Sequence, residues 1–254
     1  MARSRNLGDV LHYFIPEDEQ SAARERASRD GARDEPAPAP PAPAPRICVP
    51  ASPERLLWCA LALELAGALA AERGRAQVVA AFPGSPLLPE VPGVTLDARE
   101  RATAELAEAL AQIGADAPAL VLERPERIAA LLAGPARAGI DAVLLPVDGA
   151  SWGVARALRL LRELAPALAG TRVLTWVVGA DSGSDAVTLG ERLAAAARRQ
   201  HGLDVEVAPA LPRDPALYRA LLHGESVHAS DDGTSAGARE LRALSRRLGA
   251  RRAA

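Results

Sequence analysis

Short apolar runs alternate with longer amphipathic patterns along the chain from residue 46 onwards. The apolar runs predict strands at residues 47–49, 78–82, 119–122, 142–147, 173–178 and 205–207. The intervening patterns predict helices near 54–73, 99–113, 125–138, 152–168, 184–200 and 235–249. Because the strand runs are apolar throughout rather than alternating, both faces of each strand should be buried. The pattern therefore predicts a doubly wound α/β fold, with a mainly parallel sheet in a Rossmann-like three-layer sandwich.

A different pattern occupies the first 45 residues. One helical face of residues 1–20 carries apolar side chains at positions i, i+3, i+4 and i+7. These side chains belong to Leu7, Val10, Leu11 and Phe14. Residues 21–45 are charged and then alternate between Pro and Ala, a composition that cannot form a packed core. We predict a short amphipathic docking helix at 1–20, a disordered linker at 21–45 and the folded α/β domain at 46–254.

Composition and charge narrow the class of protein. Of the 254 residues 49% are hydrophobic, which is enough for a sizeable core, and the net charge of −2 predicts no affinity for nucleic acid. Cys48 and Cys59 lack metal-ligand or disulfide spacing, so we expect buried thiols in a reducing compartment. A signal peptide and an apolar run of membrane-spanning length are both absent from the sequence, which predicts a cytoplasmic protein. All 30 Lys/Arg positions are arginine.

The C-terminal third carries the features of a known family. They are the segments Ala208-Pro-Ala-Leu-Pro-Arg-Asp-Pro-Ala-Leu-Tyr-Arg-Ala-Leu221 and Gly224-Glu-Ser-Val227 and a closing helix that ends in Leu241-Arg-Ala-Leu-Ser-Arg-Arg-Leu248. Upstream, similar features are Val143-Leu-Leu-Pro-Val147 followed by Ser151-Trp-Gly-Val-Ala-Arg-Ala-Leu-Arg-Leu-Leu161, and Leu61-Ala-Leu-Glu-Leu65 with Glu72-Arg-Gly74. Together they resemble the ParA/MinD family of P-loop ATPases, which includes the flagellar-placement ATPases. The resemblance implies a P-loop NTPase-like fold over most of residues 46–249.

The resemblance also implies a nucleotide site, and its usual residues are missing. The family's phosphate-binding loop is rich in Gly and Lys, because backbone N–H groups must face the phosphates unobstructed. The matching turn is Pro50-Ala-Ser-Pro-Glu-Arg-Leu-Leu-Trp-Cys59, which contains neither Gly nor Lys. Alignment of the first helix places Trp58 at the phosphate-binding lysine, and Cys59 and Ala60 at the magnesium-side hydroxyls. Glu54 would repel phosphate.

Other positions of the implied site also lack the residues that nucleotide binding uses in the family. The acidic residue expected after the second predicted strand falls at Ala80 and Ala81, and the base-contacting Asn falls near Gly179. Only Glu123, after the third predicted strand, keeps a carboxylate. The residues that we assign to this degenerate nucleotide site are Ser52, Glu54, Arg55, Trp58, Cys59 and Glu123. Phosphoryl transfer depends on positioning and electrostatics, so the resemblance implies a pseudo-ATPase without catalytic residues or a cofactor, or else a divergent active ATPase.

A serine hydrolase is a second alternative. Gly149-Ala-Ser-Trp-Gly153 fits the G-x-S-x-G pattern between a predicted strand and a helix, as a nucleophile elbow requires. Ser151 could then pair with Asp204 or Asp214 and with His223 or His228. A purely structural interpretation makes Ser151 the N-cap of the following helix. The histidines, including His201, show no metal-ligand spacing.

The N-terminal helix is the candidate for partner binding. Its docking residues are Leu7, Val10, Leu11, Tyr13 and Phe14. We expect either a helix-in-groove contact with a partner protein or packing against the chain's own domain. The C-terminal helix lacks the bulky apolar anchors that membrane binding requires, so membrane contact is not expected. The leading hypothesis is a protein-binding spatial-organisation or assembly factor of a bacterial cell. A homodimer is compatible with this hypothesis.

Overall fold

Strands and helices alternate along the chain in nearly the predicted order. The computed structural model describes residues 43–230 and 235–249. The strands are β1 Arg46–Pro50, β2 Ala76–Ala80, β3 Val94–Ala98, β4 Ala119–Glu123, β5 Ala142–Asp148, β6 Arg172–Val178 and β7 Val205–Val207. The helices are α1 Leu56–Arg73, α2 Thr103–Gln112, α3 Pro125–Ala133, α4 Ser151–Leu164, α5 Gly183–His201, α6 Pro215–Leu222, α7 Val227–Ser230 and α8 Ala236–Gly249. Short 3-10 helices occupy Pro135–Gly139 and Ala165–Ala167.

The strands form a seven-stranded sheet in the order β3-β2-β4-β1-β5-β6-β7, and every pairing is parallel. The connection from β1 runs towards β2 and β3, whereas the connections from β4, β5 and β6 run towards β7. Right-handed crossovers in opposite directions place their helices on opposite faces of a sheet. The predicted doubly wound α/β fold with a parallel sheet is therefore confirmed.

Two hydrophobic cores lie between the sheet and the helices that cover it, one on each face. Ile47 and Val49 of β1 point into the core that contains α1 and α8, whereas Cys48 points into the core that contains α2 to α5. This division follows from the two-residue period of side chains in a strand. Helix α1 is buried along most of its length, since α7 and α8 cover the side that faces away from the sheet. Both cores position the carboxyl edge of the sheet.

Strand β3 was missed by the sequence analysis. It is an edge strand, and Thr95, Leu96 and Asp97 are exposed. Its side chains are therefore not the apolar run that identifies a strand buried on both faces. Strand β2 also begins and ends two residues before the predicted 78–82.

Two predicted helices end early because glycine or proline interrupts them. The helix predicted at 125–138 ends at Ala133, since Gly134 and Pro135 follow, and the chain continues as a 3-10 helix. The helix predicted at 152–168 ends at Leu164, and Pro166 lies within the next 3-10 segment. These differences change the helix ends and leave the topology as predicted.

Candidate functional site at the carboxyl edge of the sheet

The carboxyl ends of β1 and β5 define the place where a ligand is expected in this topology. The two strands are neighbours, and their onward connections leave in opposite directions. In open α/β sheets such a switch point opens a crevice beyond the strand ends, where ligands usually bind. The β1–α1 connection, residues 51–55, lies at this point, as the resemblance implied.

Most backbone donors of the β1–α1 connection are already used within the protein. Ala51 donates its N–H to the Glu123 carbonyl at 2.9 Å, and Arg55 donates to the Ser52 carbonyl at 2.9 Å. Pro53 has no N–H. The carboxylate of Glu54 accepts from its own backbone N–H and from the Ser52 hydroxyl, and these bonds lower its pKa. A phosphate needs several N–H groups directed outwards, and these residues do not offer them.

The first turn of α1 is closed by packing. Its N-cap is Arg55, whose side chain makes no capping hydrogen bond. Trp58 and Cys59 are buried, and the Cys59 thiol lies 3.5 Å from the Ser52 carbonyl oxygen. Burial, aided by the nearby Glu54 carboxylate, raises the pKa of Cys59 to about 11, so the thiol stays protonated at neutral pH. An indole and a thiol thus fill the buried side of the first turn of α1.

Glu123 ends β4 as a buried carboxylate. Its Oε1 accepts from the Arg124 N–H at 2.8 Å, whereas its Oε2 has no hydrogen-bond partner and lies 3.6 Å from Nη2 of Arg127. Burial raises the pKa of this carboxyl, and the nearby positive charges of Arg127 and Arg124 counteract part of that rise. The group is therefore held by an internal arginine at the edge of the sheet.

Three further charged residues, Glu100, Arg101 and Asp97, extend this arrangement across β2, β3 and β4. Arg124 binds Glu100 through both carboxylate oxygens, at 2.9 and 3.0 Å, and Arg127 donates to the Arg101 carbonyl at 2.6 Å. The buried Arg101 donates to the Ala80 carbonyl at 2.8 Å and forms an ion pair with Asp97. A buried guanidinium thus lies at the end of β2.

The end of β6 is occupied by an aromatic side chain. Gly179 has a positive φ of 77°, and a Cβ built there would lie 3.2 Å from the Tyr218 hydroxyl. Burial raises the pKa of Tyr218, and the Asp148 carboxylate adds to that rise. Tyr218 therefore lies against a residue without a side chain at the end of β6.

A cavity of about 570 Å³ opens between β1, β5 and α4. Pro50, Trp58 and Pro146 contribute apolar surface, and Arg55 and Asp148 contribute charge. Trp152, which is 56% exposed, stands at the first turn of α4. Two candidate residues, Arg55 and Trp58, meet in this cavity, whereas Glu123 does not line it.

The two glycines of the G-x-S-x-G pattern have packing roles. A Cβ at Gly149 would lie 2.6 Å from the Ala180 Cα, and one at Gly153 would lie 2.9 Å from the Asp148 carbonyl carbon. Ser151 is the first residue of α4, whose N-cap is Ala150, so the expected N-cap role of Ser151 is wrong. The neighbouring loop at Gly149 and the end of β5 at Gly153 account for both glycines without a nucleophile.

Three of the four possible partners of Ser151 form side-chain contacts elsewhere in the fold. Asp214 caps α6 and accepts from the N–H groups of Ala216, Leu217 and Gly237. His228 bonds to the Glu64 carbonyl oxygen at 2.8 Å. Asp204 pairs with Arg198, and the exposed His223 ends α6.

The described residues hold neither a metal cluster nor a membrane-spanning helix. Within residues 43–230 and 235–249, no group of three or more His, Cys, Asp or Glu side chains is placed to hold a metal ion. Among the helices of this described part, none is long and apolar enough to cross a membrane. The proposed docking residues Leu7, Val10, Leu11, Tyr13 and Phe14 lie outside the described residues.

Solved structures share this fold. The chain matches the MinD cell division protein of Aquifex aeolicus with a TM-score of 0.58 and 14% identity, over 81% of this chain and 96% of that one. The MinC:MinD complex of the same organism gives 0.57 and 14%, with the same coverage. A ParA family ATPase of Chlorobium tepidum gives 0.55 and 10%, over 80% and 99%. No family model and no curated protein sequence matches. The chain therefore has the fold of MinD and ParA-family ATPases over about 80% of its length.

The arginine and tyrosine contacts at this edge were missed by the sequence analysis. One usable signal was the repeated tripeptide Pro-Glu-Arg, which follows β1 at residues 53–55 and β4 at residues 125–127. It marks the two adjacent loops that carry Arg55 and Arg127. Nothing in the local sequence indicated that Tyr218 would lie against Gly179, since α6 is brought there by the closing segment of the fold.

Proposed function

We propose that this protein is a catalytically degenerate ParA/MinD-like protein, a pseudo-ATPase that works by binding other proteins as a spatial-organisation or assembly factor. The observation that carries the proposal is the β1–α1 connection. Its Ala51 and Arg55 N–H groups bond to carbonyl oxygens inside the protein, and Glu54 adds a negative charge. A loop of this kind offers phosphate few outward-directed N–H donors, and the negative charge of Glu54 offsets the positive charge of Arg55 beside it.

The surrounding groups support the same proposal. The thiol of Cys59 is buried, and the guanidinium of Arg101 fills the end of β2. Magnesium prefers carboxylate, hydroxyl and phosphate oxygens, so neither group would take part in a metal-assisted transfer. Since the chain contains no lysine at all, no distant lysine can move into the site.

The N-terminal segment and one solved structure with a similar fold support the protein-binding role. One of the matched structures is MinD in a complex with MinC. In this chain we assign partner contact to Leu7, Val10, Leu11, Tyr13 and Phe14 as one face of a docking helix. The linker of 21–45 would then separate that contact from the α/β domain.

A pull-down with three baits tests this role. The baits are the full chain, the Leu11→Asp variant and the Ser21→Asp variant, which places the same charge just beyond the helix. We expect Leu11→Asp to lose a partner that the full chain and Ser21→Asp retain, because a carboxylate on the apolar face must be desolvated on docking. Identical partners for all three baits would refute the docking role.

A divergent active ATPase is the alternative, and the retained carboxylate of Glu123 favours it. That hypothesis requires hydrolysis above background that disappears in Glu123→Ala. The exposed Glu126 offers a matched control, since Glu126→Ala removes a carboxylate three residues away. Turnover that is lost in the first variant and kept in the second would replace our proposal with this alternative. Equal background rates in all three proteins are what the pseudo-ATPase predicts.

A further inference from the structure

A buried carboxyl group lies in the middle of α1, far from the loop that begins this helix. Glu64 has no exposed surface, and its Oε1 has no hydrogen-bond partner. Its Oε2 accepts from the Ser226 hydroxyl at 3.2 Å. An uncompensated carboxylate in such a position is costly, so the group is a candidate for reversible protonation.

His228 lies over the same turn of α1. Its Nε2 is 2.8 Å from the Glu64 carbonyl oxygen and 3.6 Å from Glu64 Oε2. A carbonyl can only accept, so the ring Nε2 carries the hydrogen in this bond. The ring fits because residue 67 is glycine: a Cβ there would lie 2.6 Å from His228 Cδ2 and 2.5 Å from Val91 Cγ1.

Three polar contacts to Glu64, one from Ser226 and two from His228, therefore hold residues 226–228 on α1. Ser226 also accepts the N–H of His228 at 3.1 Å, which holds the start of α7 in a tight turn. The segment leads from α6 towards α8, which packs along the same side of α1. The contacts join residues that are more than 160 positions apart in the chain, at separations of 162 and 164.

The charged surroundings of this cluster come from α8 and from α1 itself. Arg242 of α8 is the charged group that acts on His228, and together with burial, the larger cause, it lowers the pKa of the imidazole. The segment between β2 and β3 contributes the apolar Val91. Burial raises the pKa of Glu64 to about 7, while hydrogen bonds from Ser226 and the Val227 backbone oppose the rise.

We propose that Glu64, Ser226 and His228 form a proton-operated latch, which holds the Ser226–Ser230 segment on α1 while Glu64 is protonated and weakens when Glu64 ionises. The latch is independent of the proposed nucleotide-site degeneracy. It makes the attachment of the C-terminal segment depend on pH in the range where cells operate.

The direction of the dependence follows from linkage. A carboxyl whose pKa rises from 4.5 to about 7 on closure favours the closed form fully below pH 4.5 and loses that preference up to pH 7. His228 acts in the opposite sense: because its pKa is lowered in the closed form, falling pH favours opening.

Hydrogen exchange of the whole chain tests the latch, with rates corrected for intrinsic exchange at each pH. The measured quantity is the protection of amides in residues 226–230, expressed as the ratio of wild type to Glu64→Gln. His228 is common to both proteins, so its titration cancels in this ratio. We expect the ratio to fall roughly tenfold between pH 6 and pH 8.5. An unchanged ratio would overturn the proposal, and so would an equal fall in amides of β6, which would mean global unfolding.

A second pair of variants keeps the test decisive if Glu64→Gln folds poorly. Ser226→Ala removes a hydrogen bond that stabilises the carboxylate, so the pH midpoint of opening should move upwards. Ser245→Ala is the matched control, since its buried hydroxyl donates to Glu72 of the same helix at 2.6 Å. It should leave the midpoint unchanged. A midpoint that shifts equally in both variants, or in neither, contradicts the latch.

Discussion

The loop between β5 and α4 passes against the loop between β6 and α5, and Gly149 lies at the point of contact. We predict that Gly149→Ala destabilises the protein strongly. The new Cβ would lie 2.6 Å from the Ala180 Cα and 2.8 Å from the Gly179 carbonyl carbon. Both atoms belong to the backbone, so no side-chain rotation can relieve the overlap. Overpacking of this kind costs about 1–3 kcal/mol, and the rigid neighbours place Gly149→Ala at about 3 kcal/mol.

Urea unfolding followed by far-UV circular dichroism measures the effect. Gly183→Ala is the matched control, because it lies at the start of α5 with no atom within 4 Å of the added Cβ. We expect its free energy of unfolding to stay within about 0.5 kcal/mol of wild type. For Gly149→Ala, a loss of about 3 kcal/mol in a domain of this size corresponds to a fall of roughly 6–12 °C in melting temperature. A Gly149→Ala protein as stable as wild type would refute the assignment of this glycine to packing and would reopen the nucleophile-elbow interpretation.

The remaining predictions concern the buried guanidinium, the thiols and the serine. Arg101→Gln should cost about 2–3 kcal/mol in urea unfolding, because Asp97 and two carbonyls lose their partner, while the exposed Arg99→Gln should change stability by less than about 0.5 kcal/mol. Equal losses in the two variants would contradict the structural role of the buried guanidinium. Burial raises the pKa of Cys59 to about 11, so a thiol-specific reagent at pH 7.5 should label this cysteine only after unfolding. Rapid labelling of Cys59 in the native protein would show that the first turn of α1 is open. A fluorophosphonate should leave Ser151 unlabelled, and covalent labelling there would support the hydrolase alternative.

Strands buried on both faces could be predicted from the sequence, and the reason is physical. β1, β4, β5 and β6 are apolar on both faces because helices cover both sides of the sheet. β3 is half exposed at the edge, so its mixture of Val, Thr, Leu and Asp carries no such signal. The parallel topology followed from the alternation of strands and helices, which requires crossover connections.

The places of three proposed site residues in the fold could be predicted from the sequence, but their contacts could not. Ser52, Glu54 and Cys59 lie in the β1–α1 connection and first turn because local sequence fixes the end of β1 and the start of α1. The bond between Arg101 and the Ala80 carbonyl and the contact of Ser226 with Glu64 depend on tertiary packing. Local periodicity carries no information on pairs so distant in sequence.

Titration calorimetry with ATP and magnesium tests the central claim most directly. The claim is that the β1–α1 connection, with its inward-directed N–H groups and Glu54, cannot hold a phosphate chain. We predict a dissociation constant weaker than about 1 mM for ATP, ADP and GTP, with or without magnesium. Magnesium-dependent binding of ATP with a dissociation constant of about 10 µM or tighter would contradict the account.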